Sequence, residues 1–104
     1  MSAPRQGEVW WAESEDKRRP VLVVTRSEAA AVLGRVIVAP LTRTVRGIPT
    51  EIALGSDEGL AVDCAASFDN LLPVSRRLLT ERLGRLSEPR MLEICRALGA
   101  LADC

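Results

Sequence analysis

The tightest constraint on this chain is that its β-branched runs are short and bounded by proline. Arg19-Pro20 opens the run Val21-Leu22-Val23-Val24, and Pro40-Leu41-Thr42 closes the run Val36-Ile37-Val38-Ala39. Proline fixes its own φ and carries no N–H, so it suits the first residue of a strand or an edge. It also drives Arg19 out of the helical region into an extended one. Further strands are predicted at 8–12, at 50–54, where polar and apolar residues alternate, around 64–68, and at 82–86. Residues 71–74 extend or bend the strand before them. Between 27 and 34 the pattern predicts one short helical turn with Ser27 as its cap and Gly34 as its end.

The C-terminal segment reads differently. Ser87-Glu88-Pro89-Arg90 is a helix start, with Ser87 as N-cap, Glu88 near the positive end of the dipole and Pro89 in the first turn. Met91, Ile94, Cys95, Leu98 and Leu101 then recur at helical spacing, which predicts one amphipathic helix with Cys95 on its buried face. Several short strands followed by one helix predict a mainly β, α+β fold: a small, strongly bent sheet or barrel with the helix packed on it. At 104 residues the chain (1–104) is expected to form a single domain. Dimerisation would cover an exposed sheet edge.

Composition excludes more than it assigns. No apolar run approaches the roughly 20 residues that cross a bilayer, and the segment Met1-Ser2-Ala3-Pro4-Arg5-Gln6 lacks a secretory pattern. A cytoplasmic protein with no membrane contact is the expectation. Three cysteines, Cys64, Cys95 and Cys104, with no C-x-x-C spacing and no histidine, argue against a metal site and are read as reduced and structural. The net charge is zero, so the whole-molecule field gives no support for nucleic-acid binding. The kind of base says more: Lys17 is the lone lysine among fourteen basic residues, and the others are arginine. A genome that favours arginine codons accounts for this as well as function does. Even so, arginine is the side chain suited to bidentate phosphate contacts, and Lys17-Arg18-Arg19, Arg43 with Arg46, and Arg76-Arg77 form local basic clusters.

The strand-end pair is the candidate chemistry. A fixed fork of donors at Arg19 beside a hydroxyl at Thr42 can hold a phosphate. Taken alone, Arg19 reads first as a surface arginine paired to Glu15 or Asp16, and Thr42 is also compatible with a strand-end cap. Trp10 and Trp11 point to opposite sides of a strand, one toward the core and the other toward an interface or a stacked base.

In order along the chain, Gly7-Glu8-Val9-Trp10-Trp11, Arg19-Pro20-Val21-Leu22-Val23-Val24 and Val38-Ala39-Pro40-Leu41-Thr42 resemble the MazF/PemK toxin family. The likeness continues through Ile48-Pro49-Thr50-Glu51-Ile52, Gly59-Leu60, Ala61-Val62-Asp63-Cys64 and Phe68-Asp69-Asn70 to Arg82-Leu83-Gly84-Arg85-Leu86-Ser87. The resemblance implies an SH3-like (plasmid-maintenance-toxin) barrel, a homodimer, a cognate antitoxin and an RNA groove at the dimer face. It also implies metal-independent, cofactor-independent, ribosome-independent cleavage of single-stranded RNA at a short sequence, leaving 2′,3′-cyclic phosphate and 5′-hydroxyl ends. Arg19 and Thr42 match the family's catalytic arginine and threonine. Glu15 is the candidate counterpart of a glutamate that some members carry in the preceding loop. Lys17, Arg18, Arg43, Arg46, Asp69 and Asn70 flank the pair and are the candidate RNA contacts. Two other readings stay open on the same barrel: a CcdB-like toxin that binds a protein target such as gyrase, and a decayed member that only titrates antitoxin. The chain lacks the near-terminal aromatic on which the CcdB-like reading relies.

Overall fold

The computed structural model describes residues 3–102. Seven strands make up a curled antiparallel sheet: β1 (Glu8–Glu13), β2 (Arg18–Val23), β3 (Arg35–Thr42), β4 (Glu51–Leu54), β5 (Cys64–Ser67), β6 (Leu72–Ser75) and β7 (Leu79–Arg85). A short helix α1 (Ser27–Ala30) lies between β2 and β3, and helix α2 (Leu92–Leu101) closes the described chain. The expected mainly β barrel-like sheet with a C-terminal helix is therefore present.

Strand order is β4-β5-β3-β2-β1-β7, with β6 also paired to β3. The third strand explains the curl. Its first half, Arg35 to Val38, pairs with β6, whereas Leu41 and Thr42 pair with Ala66 and Ala65 of β5. Ala39 and Pro40 pair with neither, so Pro40, which offers no N–H to a ladder, sits where β3 changes partners. The sheet splits there, and β4–β5 fold away from the rest.

Both faces of the central strands are covered, which is why β2 and β3 read as continuous apolar runs rather than alternating ones. Leu22, Ala39, Leu41, Ile52, Phe68, Leu86 and Ile94 pack into one cluster under α2. Val21, Val23, Val36, Val38, Trp10 and Leu79 pack into a second on the opposite face, with Ala30 of α1. Each of the fully buried large side chains, Phe68, Leu22, Ile52, Leu86 and Ile94 among them, contributes about 1.5–3 kcal/mol by leaving water. Trp10 is the core tryptophan. Its indole N–H donates to Glu8 Oε1 at 3.1 Å, and that buried carboxylate also accepts from the Arg5 N–H (2.8 Å) and Arg82 Nη1 (3.0 Å).

Several local expectations are corrected. Ser27 is not a cap but the first residue of α1; the cap position is Arg26, and Ser27 Oγ accepts from the Gln6 N–H at 3.2 Å. Ser87 does precede a helical turn, the 3-10 turn Glu88–Arg90, but makes no side-chain cap bond. Residues 71–74 neither extend nor merely bend the fifth strand, since the 3-10 turn Phe68–Asn70 ends it and β6 is a separate strand. Cys95 is exposed, because Met91, Ile94, Ala97 and Leu98 form the face that α2 turns toward the core. Ala97, not Cys95, completes that stripe. Cys64 is buried as a reduced thiol, and Cys104 lies outside the described residues.

Candidate nucleic-acid groove

A groove of about 340 Å³ opens beside the end of β3. Its walls are Trp11 and Pro20 on the β1–β2 side, Leu41, Thr42 and Arg43 at the base, and residues 59–62 with Leu83 opposite. The alternation of β1 delivers Trp11 here while Trp10 enters the core. Trp11 is only partly buried, and the Arg18 guanidinium carbon lies 4.3 Å from the centre of its ring. Arg18 is also 3.7 Å from Glu81 Oε1, an exposed and weak pair.

Arg19 stands differently. It is exposed, and among the described residues its guanidinium enters no ion pair and no side-chain hydrogen bond. Neither Glu15 nor Asp16 pairs with it. The β2–β3 pairing ends at Val21 opposite Pro40, two residues short of a position that would set Arg19 across from Thr42. The two nonetheless line different depressions. Thr42 faces the groove, and its Oγ1 accepts from the Thr44 N–H at 3.1 Å. Arg19 stands at the mouth of an apolar hollow of about 450 Å³ walled by Val21, Pro40, Leu72 and Leu78, with Arg35 at its other side.

The remaining sequence candidates scatter around these depressions. Glu15 is exposed in the β1–β2 turn and makes no side-chain hydrogen bond among the described residues. That turn is closed by the Lys17 carbonyl, which accepts from Ser14 N–H (2.9 Å) and Ser14 Oγ (2.7 Å), leaving the Lys17 side chain exposed. Arg43 lines the groove, and Arg46 is exposed in the following loop, where Glu51 Oε1 accepts the Arg46 and Gly47 N–H groups at 2.9 and 3.0 Å. Asp69 and Asn70 are engaged locally: Asp69 Oδ2 accepts from Thr50 Oγ1 at 2.6 Å, and Asn70 Nδ2 donates to Ser67 Oγ at 2.8 Å. Cys64 underlies the groove, and burial, with Asp63 and Glu58 adding to it, pushes its thiol pKa up while Arg43 opposes. Among the described residues no cluster of His, Cys, Asp or Glu could hold a metal ion, and no helix is long and apolar enough to cross a membrane.

Sequence reasoning passed over two groups of residues here. The apolar wall at 59–62 entered only through the family likeness, Glu58 belonged to the turn-forming cluster 55–59, and Arg90 was read as part of a helix start. A turn-forming cluster gives no sign that its glutamate is buried.

A small curled antiparallel sheet with a terminal helix, a cationic strand end and an adjacent groove is the architecture that the sequence likeness implies. A family model described as "PemK-like, MazF-like toxin of type II toxin-antitoxin system" matches residues 5–102, and the chain belongs to that family. It is 45% identical over 104 residues to "Probable endoribonuclease MazF5" of Mycobacterium tuberculosis, covering 97% of this chain and 94% of that protein. "Probable endoribonuclease MazF2" of the same species is 41% identical over 101 residues, covering 96% and 99%. Among solved structures, Mycobacterium tuberculosis toxin MazF-mt6 superposes with a TM-score of 0.84 at 33% identity, covering 92% of this chain and 96% of that one. An endoribonuclease in complex with its cognate antitoxin from a mycobacterial species superposes at 0.81 with 27% identity, covering 95% and 94%.

Proposed function

We propose that this chain is a ribosome-independent, sequence-specific endoribonuclease toxin that cleaves single-stranded RNA in the cytoplasm without a metal or other cofactor. A cognate antitoxin holds it in check. The observation that carries this is Arg19: an exposed guanidinium in the first residues of β2 that enters no ion pair among the described residues. Family membership and relatives named as endoribonucleases support it.

In the proposed reaction a ribose 2′-oxygen attacks the adjacent phosphorus. The 2′-O–P bond forms, the P–O5′ bond breaks, and the products are a 2′,3′-cyclic phosphate and a 5′-hydroxyl. Negative charge grows on the phosphoryl oxygens, and Arg19 meets it with two parallel hydrogen bonds, an interaction strongest in the transition state. Thr42 positions the 2′-hydroxyl or a phosphoryl oxygen. The proton from the 2′-hydroxyl needs a base, and Glu15 is the candidate; the leaving 5′-oxygen takes a proton from solvent or from Arg19. Arg18, Lys17, Arg43 and Arg46 contact flanking phosphates, with Asp69 and Asn70 at the margin.

A homodimer belongs to the same proposal. Leu72 and Leu78, at 40% and 37% exposure, edge the apolar hollow beside Arg19, and a second copy there would bring Arg19 and Thr42 sites into one longer surface. The test is digestion of a mixed RNA pool in EDTA beside Arg19→Ala, with fragment ends mapped. Cleavage with cyclic-phosphate ends that the variant abolishes is the expected result. No cleavage by the folded, antitoxin-free protein overturns it.

A further inference from the structure

Residues 59–62 form one wall of the groove but belong to no strand or helix, and Val62 is 48% exposed. What holds them lies behind. Glu58 is buried (4% exposed); its Oε1 accepts the Gly55 N–H at 2.7 Å and its Oε2 accepts Arg90 Nη1 at 3.0 Å. Arg90 Nη2 donates to the Ala53 carbonyl (2.6 Å) and to Glu93 Oε1 (3.0 Å), and Nε donates to Glu93 Oε2 (2.7 Å). One guanidinium thus ties the end of β4, the 3-10 turn Ser56–Glu58 and helix α2 together. Such a fork fixes direction as well as distance, which a lysine could not do.

The next residue is fixed by contact. Gly59 has φ +87°, and a Cβ there would fall on the Leu83 carbonyl, while a Cβ on Gly84 would fall on the Glu58 carbonyl. Backbone therefore crosses backbone between the turn and β7 with no room for a side chain. The Leu60 N–H returns to the Gly55 carbonyl at 3.1 Å, closing the loop. Leu60 packs on the main core cluster, and among the described residues the Ala61 and Val62 backbones make no hydrogen bond.

We propose that Glu58 and Arg90 are positioning residues that set the width of the groove by holding the 59–62 wall against β7 and α2. This rests on the reading of the groove as the RNA surface. A buried ion pair is a weak source of net stability, since desolvation offsets its attraction. A pair that ties three elements behind a groove wall serves shape instead.

Cys64 is the reporter. It is 5% exposed and borders both the groove and the depression on the Glu58–Arg90 side of the wall, so its thiol becomes accessible when the wall moves. In a Cys95→Ser, Cys104→Ser background it is the sole thiol. Arg90→Met and Glu58→Gln are made there, and labelling by a chromogenic disulfide reagent is followed across pH and low urea. The pH series separates thiol acidity from access. The expected result for Arg90→Met is labelling faster by about tenfold, with a urea dependence much shallower than that of global unfolding, as local opening gives. RNA cleavage is expected to show KM raised by about tenfold with kcat nearly unchanged, the signature of lost binding rather than lost chemistry. Glu58→Gln, which keeps an acceptor for Gly55, should fall between. Labelling that follows the full urea dependence of unfolding overturns the proposal, as does faster labelling with an unchanged KM. If the parent cleaves no RNA, the functional reading fails, and the labelling series alone decides whether the pair holds the wall.

Discussion

The two sides of the groove are built on opposite plans. On the β1–β2 side, residues 14–19 are all exposed, and the turn is closed by bonds from Ser14 to the Lys17 carbonyl. Arg19, which lines the neighbouring hollow, has no ion pair among the described residues, and Arg18 stacks on Trp11 with a long approach to Glu81. On the side of residues 55–62, Glu58 is buried and shared with Arg90 while Asp57 stays exposed, and two backbones touch at Gly59 and Gly84. A cation that must meet a phosphate keeps its donors free at an open edge. A wall that must keep its shape has its charges neutralised behind it.

The sharpest way to break this comparison is Arg19→Ala. Cleavage should fall by about a thousandfold, which corresponds to about 4 kcal/mol of transition-state stabilisation, while thermal unfolding stays where it was because the side chain is exposed and unpaired. A parallel loss of stability would show that the open side is structural after all. Gly59→Ala probes the other side. With positive φ and the Leu83 carbonyl in the way, it should lower unfolding free energy by about 3 kcal/mol in urea titration. Thr42→Val keeps shape and removes the hydroxyl; a ten- to hundredfold slower cleavage, about 1.4–2.7 kcal/mol, with unchanged RNA binding would mark a positioning group.

Two smaller effects refine the contrast. Arg18→Ala should cost about 0.5–1 kcal/mol of stability through the lost stacking on Trp11, visible as a change in indole fluorescence on urea unfolding. The Glu93 carboxyl is held below the usual carboxylate range, chiefly by its hydrogen bond from Arg90, with burial opposing. Its folded pKa is depressed, so its contribution is complete above the usual carboxylate pKa and is lost as pH falls through the folded value. Arg90 is raised by the same bond, from a value already far above neutral, so it stays charged throughout. Glu93→Gln should therefore lower stability slightly at neutral pH, where that contribution is complete, and flatten the acid limb of the stability–pH profile.

Much of the fold was legible because it rests on local signals. Proline-bounded runs at 20–24 and 36–41, the alternation at 50–54, and the spacing of Met91, Ile94 and Leu98 each correspond to an observed element. The errors were side-chain choices that local pattern cannot make. Ser27 and Ser87 have cap chemistry but make no cap bond, and Cys95 lost its place to Ala97 because helix rotation is set by what the helix packs on. Arg19 and Thr42 could be placed at strand ends from sequence. That they line separate depressions follows from the split of β3 between β6 and β5.

Local sequence pattern carried the kind of molecule: short strands, one terminal helix, a strand-end arginine and an ordered series of family motifs. These are properties of residues and their neighbours. Long-range packing settled that Glu58 is buried against Arg90, that Gly59 and Gly84 have no room for a side chain, and that Trp11 rather than Trp10 faces the groove. Each depends on where a second, distant segment passes, and burial and van der Waals contact have no representation in a local pattern.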